Sequence, residues 1–399
     1  MNYLTKRWLG FYFFLLTAYS IFSYSLTTPN LILSKISYYI KFQYFMWETF
    51  FNNRQLLSIV LIILFILLFI SYIGLVKSIK TKLSSKQFLL SLLLLIVPLF
   101  FSYNALSHDV FNYIFNAKIV MVYKANPHVK VALDYASKDN WVRFMHNIHT
   151  PAPYGYGWTF LSTLPYVLGQ NKFLTTWLSF RLFSIFSIFF LYLSVNYLQK
   201  KSKINLNLKH LPILFFNPLF LIEIVSNSHN DLWMMVPAIL SIGLIIKKPK
   251  IYQVLLSIII LALSISIKLA TIVLIPIWLI ILFNNYFKNN FIKYFYKNWP
   301  NFAIFLSFLP LLTPRSQQFH PWYLIWVLVW IPFIKNKNLV NVIIAFSLTS
   351  LLRYIPQIFS GEYTFEVLSQ QKIITWCFPV LLFIILSIVS RFKLKKSLK

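Results

Sequence analysis

The chain holds one cysteine, eight acidic residues and seven glycines in 399 positions. The single Cys377 excludes an internal disulfide and any cysteine-based metal cluster. Charged residues make up 11%, against about 25% in an ordinary soluble domain. Apolar residues reach 59% and aromatics 19%, and no segment has the composition of a soluble domain. These values describe an all-α, polytopic integral membrane protein, not a globule with a large core. Most apolar runs are about 15–27 residues long, and a hydrocarbon layer of roughly 30 Å needs about that length.

What the chain has in excess is positive charge, +29 in total. A nucleic-acid partner would call for a basic domain with interleaved recognition motifs, and there is none. The Lys and Arg residues sit instead in short clusters between apolar spans. There they set topology and meet anionic lipid headgroups. Lys6-Arg7 and the run from Trp8 resemble a signal peptide. The run continues to about Leu26 and many spans follow, so an uncleaved first span is expected.

The pattern reads as one transmembrane domain over residues 1–399, with about twelve spans from Trp8–Leu26 to Ile373–Val389. His210–Val225 reads as a single span. Ile251–Phe283 reads either as two short helices or as one helix broken around Ser264–Lys268. With the N-terminus inside, the inner segments and their edges hold 23 of the 37 Lys and Arg residues. Both termini are then cytoplasmic. The acids do the opposite. Seven fall in outer segments, and Glu223 falls near the outer end of a span. Three outer segments are long enough to hold structure. Thr27–Arg54 is aromatic and suits an interfacial helix. Leu106–Asn171 is the largest, and Tyr354–Lys372 is the third.

Four constellations carry chemistry. The large outer loop opens on His108-Asp109-Val110-Phe111-Asn112-Tyr113, continues through Asn126-Pro127-His128 and ends in Pro153-Tyr154-Gly155-Tyr156. The second is Asn217-Pro218-Leu219 with Glu223 and His229-Asn230-Asp231. The third is Ser266-Ile267-Lys268. The fourth is Arg315 followed by His320-Pro321-Trp322-Tyr323 and Trp326. All four are expected to meet at the outer surface.

This ordered set resembles the GT-C glycosyltransferases, and among them the bacterial polyprenol-phosphate-mannose-dependent mannosyltransferases. The shared elements are an Asp after an early span with an aromatic helix behind it, a Pro-Tyr-Gly element and an Asn-Pro-Leu. An acid, a His-Asn-Asp turn, a Ser-Ile-Lys and a late Pro-Trp-Tyr follow. The resemblance runs from about Ser107 to Trp326. It departs at Asn116-Ala117-Lys118, where the family often has an acid, and at Tyr154-Gly155-Tyr156, usually Tyr-Gly-Pro. It implies a hexosyl donor on a polyprenyl phosphate, mannose in this subfamily, and inversion at the sugar. The acceptor is a glycan or glycolipid hydroxyl on the outer face of the cell membrane.

The chemistry agrees with that implication. A sugar on a polyprenyl phosphate carries its own leaving group, so one carboxylate acting on the acceptor hydroxyl suffices. Glycoside hydrolysis needs two. Asp109 is the expected base. Lys268, Arg315 and His320 are the expected contacts of the donor phosphate. His108, Tyr113, Asn126, Tyr154, Glu223, His229, Asp231, Trp322 and Tyr323 are expected to shape the sugar and acceptor site. The plain structural alternatives are helix N-caps at Asp109 and Asp231, snorkelling at Lys268 and an interfacial aromatic belt at Trp322 and Tyr323. His146 and His149 lack a carboxylate at ligand spacing, so neither metal nor cofactor is expected. The rival classes are a transporter or lipid flippase, which would place charges at the bilayer midplane, and a lipid-linked glycan polymerase or ligase.

Overall fold

The computed structural model describes residues 1–28, 31–202, 209–287, 289–312 and 318–397, and the regular structure among them is all helical. Helices α1 (Tyr3–Phe22), α2 (Ser37–Met46), α3 (Arg54–Ser78) and α4 (Ser85–Phe100) come first. Thr5 Oγ1 donates to Ser78 O at 3.0 Å, and Ser20 Oγ donates to Pro98 O at 2.6 Å. Thus α1 runs antiparallel to α3 and parallel to α4. Lys201 Nζ donates to Leu244 O at 2.6 Å and Lys209 Nζ to Lys77 O at 3.3 Å, so these basic segments share one end of the bundle, and Asp109, beyond the end of α4, lies at the other.

The outer faces of the helices are apolar. Ile59, Ile63, Ile66, Ile70 and Ile73 recur at helical spacing on α3 and are all exposed. Apolar surface this continuous belongs against lipid. Five segments are long and apolar enough to cross a membrane: Tyr3–Leu26, Arg54–Ser78, Phe173–Ser202, Lys337–Ser360 and Phe365–Ser390. Of the shorter apolar helices of 10–17 residues, Ser85–Phe100 lies before Phe173–Ser202 and the others follow one another from Asp231 to Phe333. Of the roughly twelve spans expected, these five are full length, and the shorter runs form shorter helices.

The large loop contains α5 (Asp109–Met121) and α6 (Tyr156–Leu168), after which α7 (Phe173–Ser202) returns to the basic end. The run expected as one span at His210–Val225 is broken. It forms α8 (His210–Phe215), α9 (Pro218–Leu221) and a π turn at Ile222–Ser226. Pro218 has no N–H to continue the ladder. Asn217 caps the new start through Leu219 N at 2.9 Å and reaches Ser347 Oγ at 3.1 Å. The Asn-Pro-Leu motif is thus buried inside the bundle and does not join the other constellations, contrary to expectation.

Helices α10 (Asp231–Ile245) and α11 (Ile251–Ile267) form an antiparallel pair. Ser264 Oγ donates to Met234 O at 2.7 Å and Ser257 Oγ to Ser241 O at 2.8 Å. A 3-10 turn at Leu269–Leu274 and α12 (Ile275–Phe283) then run back. Trp278 Nε1 reaches Ser257 Oγ at 2.7 Å, and Asn285 Nδ2 reaches Ile245 O at 2.9 Å. The region is therefore two short helical passes that reverse at Lys268, whose backbone is extended.

The rest comprises α13 (Asn290–Lys297), α14 (Trp299–Phe308), α15 (Ile325–Leu328), α16 (Lys337–Leu352), α17 (Ile355–Ser360) and α18 (Phe365–Ser397). Helix α18 starts at Phe365, inside the expected 354–372 loop.

Candidate active site

Asp109 is the first helical residue of α5, and its N-cap His108 makes no side-chain capping bond. The negative charge suits a helix N-terminus, but the carboxylate does not cap the helix. Tyr154 OH donates to Asp109 Oδ2 at 2.9 Å, and His229 Nδ1 lies 3.7 Å from the same oxygen. The Asp109 side chain is 20% exposed, whereas Glu223 and Asp231 are 0% exposed.

A close backbone joint delivers Tyr154. Gly155 N donates to Ile267 O at 3.0 Å. A Cβ on Gly155 would lie 2.0 Å from Ser266 O, and one on Gly157 would lie 2.2 Å from Ser266 Oγ. Only glycine permits this approach. The loop's Pro-Tyr-Gly element and the Ser-Ile-Lys end of α11 are thus one assembly. It sets the Lys268 ammonium 5.2 Å from the Tyr154 ring centre, with Tyr323 at 5.5 Å and Trp326 at 5.3 Å. Each ring face attracts the cation.

Lys268 Nζ also donates to Asp231 Oδ1 at 2.9 Å, and Trp326 Nε1 donates to that oxygen at 2.5 Å. Asp231 opens α10 and does not cap it. Lys268 is therefore held in a mostly buried ion pair rather than snorkelling.

Glu223 departs from expectation in its neighbours. A regular helix would put it roughly 12 Å from Asp231. The π turn and Ser228, at φ 59° in the left-handed region, fold His229 back instead. His229 N donates to Glu223 O at 3.1 Å, and His229 Nε2 lies 3.3 Å from Glu223 Oε2. Tyr354 OH donates to Glu223 Oε1 at 3.0 Å, and Asn227 Nδ2 donates to Oε2 at 2.9 Å. The partners of Glu223 are thus neutral donors and an imidazole, with no lysine or arginine at ion-pair distance among the described residues.

Trp322 is stacked between two histidines, with ring centres 4.1 Å from His229 and 4.4 Å from His320. It is part of the cluster rather than a plain belt residue. Burial lowers His320 to about 4, only partly offset by Asp109. At neutral pH its imidazole is therefore uncharged. Arg353 is buried and donates to Thr375 Oγ1 at 3.2 Å. Its partner is neutral where that of Lys268 is a carboxylate.

Tyr113 packs edge-on against Tyr154, with the hydroxyls 3.4 Å apart. Burial, and then the Asp109 charge, raises both phenols well above the ordinary value. They stay protonated as donors. His108 lies under the loop with its ring 3.9 Å from His146. Burial and that neighbour lower it to about 3. Asn126 stands apart from this cluster. It is exposed, donates to Tyr156 OH at 3.3 Å and accepts from His128 N at 3.0 Å. Lys118 is committed to Asp139 at 2.6 Å. Arg315 lies outside the described residues. Among the described residues no group of three or more His, Cys, Asp or Glu is arranged to hold a metal ion.

Sequence reasoning placed Trp326 in the late aromatic motif but did not select Tyr354 or Arg181. Trp326 and Tyr354 hold the two buried acids. Arg181 is fully buried in α7 and donates to Phe100 O at 3.0 Å, Asn104 Oδ1 at 2.6 Å and Ser226 O at 2.6 Å. It ties the end of α4 to the π turn that carries Glu223. A lone arginine in a phenylalanine-rich run was the available signal, since intramembrane charges are rarely idle. Tyr354 had no local signal.

A family model described as alpha-(1->6)-mannopyranosyltransferase, N-terminal domain, matches residues 7–284. The chain belongs to this family. It is a GT-C glycosyltransferase and an alpha-mannosyltransferase, so the transporter and flippase readings fall. The matched range takes in Asp109, Tyr154, Glu223, His229, Asp231 and Lys268. It ends before His320, Trp322, Trp326 and Tyr354, which complete the mannosyltransferase's cluster. No curated protein and no solved structure matches the chain significantly.

Proposed function

We propose that the chain transfers mannose from a polyprenyl-phosphate carrier to a hydroxyl of a glycan or glycolipid, with inversion, at the outer face of the cell membrane. The observation that carries this reading is the contrast among three clustered carboxylates. Glu223 and Asp231 are buried and committed to partners, while Asp109 is held by Tyr154 and remains accessible. One available carboxylate suits deprotonation of an acceptor hydroxyl. It does not suit the two-carboxylate chemistry of hydrolysis.

In this reading Asp109 takes the proton from the acceptor hydroxyl. The acceptor oxygen bonds to C1 of mannose, and the C1–O bond to phosphate breaks with its electrons on the leaving phosphate. Lys268, His320 and Arg315, joined by Arg353, face that phosphate and offset its charge. For Arg315 this rests on the sequence alone. The Trp322, Tyr323 and Tyr154 rings, with His108 and Tyr113 behind them, supply apolar faces and hydroxyls for the sugar. Asp231 fixes Lys268, and Asn126 supports the loop. About twelve passes place the basic end and both termini in the cytoplasm, with the acid-bearing end outside. The 23 basic residues of the inner segments support that orientation.

The test is transfer by purified protein from synthetic polyprenyl-phospho-mannose, compared with a nucleotide-linked mannose. Product from the lipid-linked donor alone is expected. Equal use of the nucleotide sugar would overturn the donor assignment.

A further inference from the structure

His229 stands between two carboxylates. Its Nδ1 lies 3.7 Å from Asp109 Oδ2, and its Nε2 lies 3.3 Å from Glu223 Oε2. Neither ring nitrogen makes a hydrogen bond among the described residues, and the side chain is 0% exposed. The ring plane is fixed by the Trp322 face, at 4.1 Å and 24°. The backbone closes the same arrangement through His229 N and Glu223 O. On the far side, Tyr354 and Asn227 hold the two Glu223 oxygens. A fully buried carboxylate stabilises a positive charge that forms beside it. Among the described residues, the one basic side chain within ion-pair distance of Glu223 is His229.

We propose that His229 and Glu223 form a proton relay behind Asp109, acting through it as positioning residues. The proposal rests on Asp109 being the base. In this relay Nδ1 is the accepting nitrogen, and Nε2 lies on the Glu223 side. As the acceptor oxygen bonds to C1 and the C1–O bond to phosphate breaks, the acceptor proton reaches Asp109 Oδ2. It passes on to His229 Nδ1, and Asp109 is ionised again. The proton then rests on an imidazolium held between two carboxylates, and the three groups together carry a charge of −1. It leaves by the reverse route through Asp109, the exposed member, to water or to the departing polyprenyl phosphate. Such a relay keeps the base ionised while the phosphate departs. Contacts that are long or poorly aligned are usual in sites without substrate.

The test is single-turnover transfer from polyprenyl-phospho-mannose, with enzyme in excess, measured across mixtures of light and heavy water. Wild type, His229→Gln and Glu223→Gln are compared, and folding is followed by thermal melting. A relay makes two protons move in one transition state, so the wild-type rate should bow as the deuterium fraction rises. Each variant should lose roughly 10- to 100-fold in rate, less than the base itself, with donor KM unchanged and the dependence straightened. Slow variants that keep the wild-type bow would overturn the relay and leave the pair structural. A straight wild-type dependence would overturn it without any variant. Wild-type protein that does not use the lipid-linked donor, or Asp109→Asn at full rate, would instead defeat the parent reading.

Discussion

The Tyr154 hydroxyl donates to Asp109 Oδ2 at 2.9 Å across 45 residues of sequence. That contact depends on how closely Gly155 and Gly157 approach Ser266. The first obstacle to Gly155→Ala is the Ser266 carbonyl oxygen, and the first obstacle to Gly157→Ala is the Ser266 hydroxyl. Both alanines should cost about 1–3 kcal/mol and lower mannosyl transfer, because overpacking shifts the joint. Ser266→Gly should partly restore Gly157→Ala and leave Gly155→Ala impaired. Transfer assays and melting of the two double variants check this.

Lys268 and Asp231 form a mostly buried pair. Removing one partner of such a pair costs about 3–5 kcal/mol, because the other charge is left uncompensated. Lys268→Ala should therefore lower both the melting temperature and donor use. Lys268→Met combined with Asp231→Leu should melt closer to wild type yet remain inactive. Additive losses in the double variant would show that the two do not act as a pair.

Much of this site was legible because charge is scarce. Asp109, Glu223, Asp231 and Lys268 stand out in apolar surroundings, and hydropathy and helical period fix the all-helical class. What stayed hidden depends on backbone detail. The Glu223–His229 contact needs a π turn and a left-handed Ser228, neither of which leaves a periodic trace. The broken run at Asn217-Pro218 looked continuous because both halves are apolar. Tyr354 reaches Glu223 across 131 residues, a distance that local pattern does not bridge.

Acid should weaken the large loop. His108 is held down to about 3 by burial and by His146, against about 6.5 in an unfolded chain. Between those values the unfolded chain binds a proton that the folded chain refuses. Stability is thus complete above about pH 6.5 and falls as pH drops towards 3, by at most about 1.4 kcal/mol per pH unit. His320, lowered to about 4, acts in the same direction. Melting curves between about pH 7 and pH 5 should show the loss, and His108→Phe should reduce it. An unchanged slope in the variant would remove His108 as its source.

Ser137 is exposed in the large loop. In a Cys377→Ala background, Ser137→Cys in intact cells should react with an impermeant thiol reagent added outside. A cysteine placed at Ser84 should not. Labelling of Ser137→Cys from the inner side alone would invert the topology.

The most direct measurement is mannosyl transfer by Asp109→Asn from the polyprenyl-phosphate donor. Asparagine keeps the shape, the start of α5 and an acceptor for the Tyr154 hydroxyl, but it has no basic carboxylate. A general base predicts a loss of at least roughly 100-fold in turnover, with the protein folded. Near-normal transfer by the asparagine variant would contradict the assignment of Asp109 as the base.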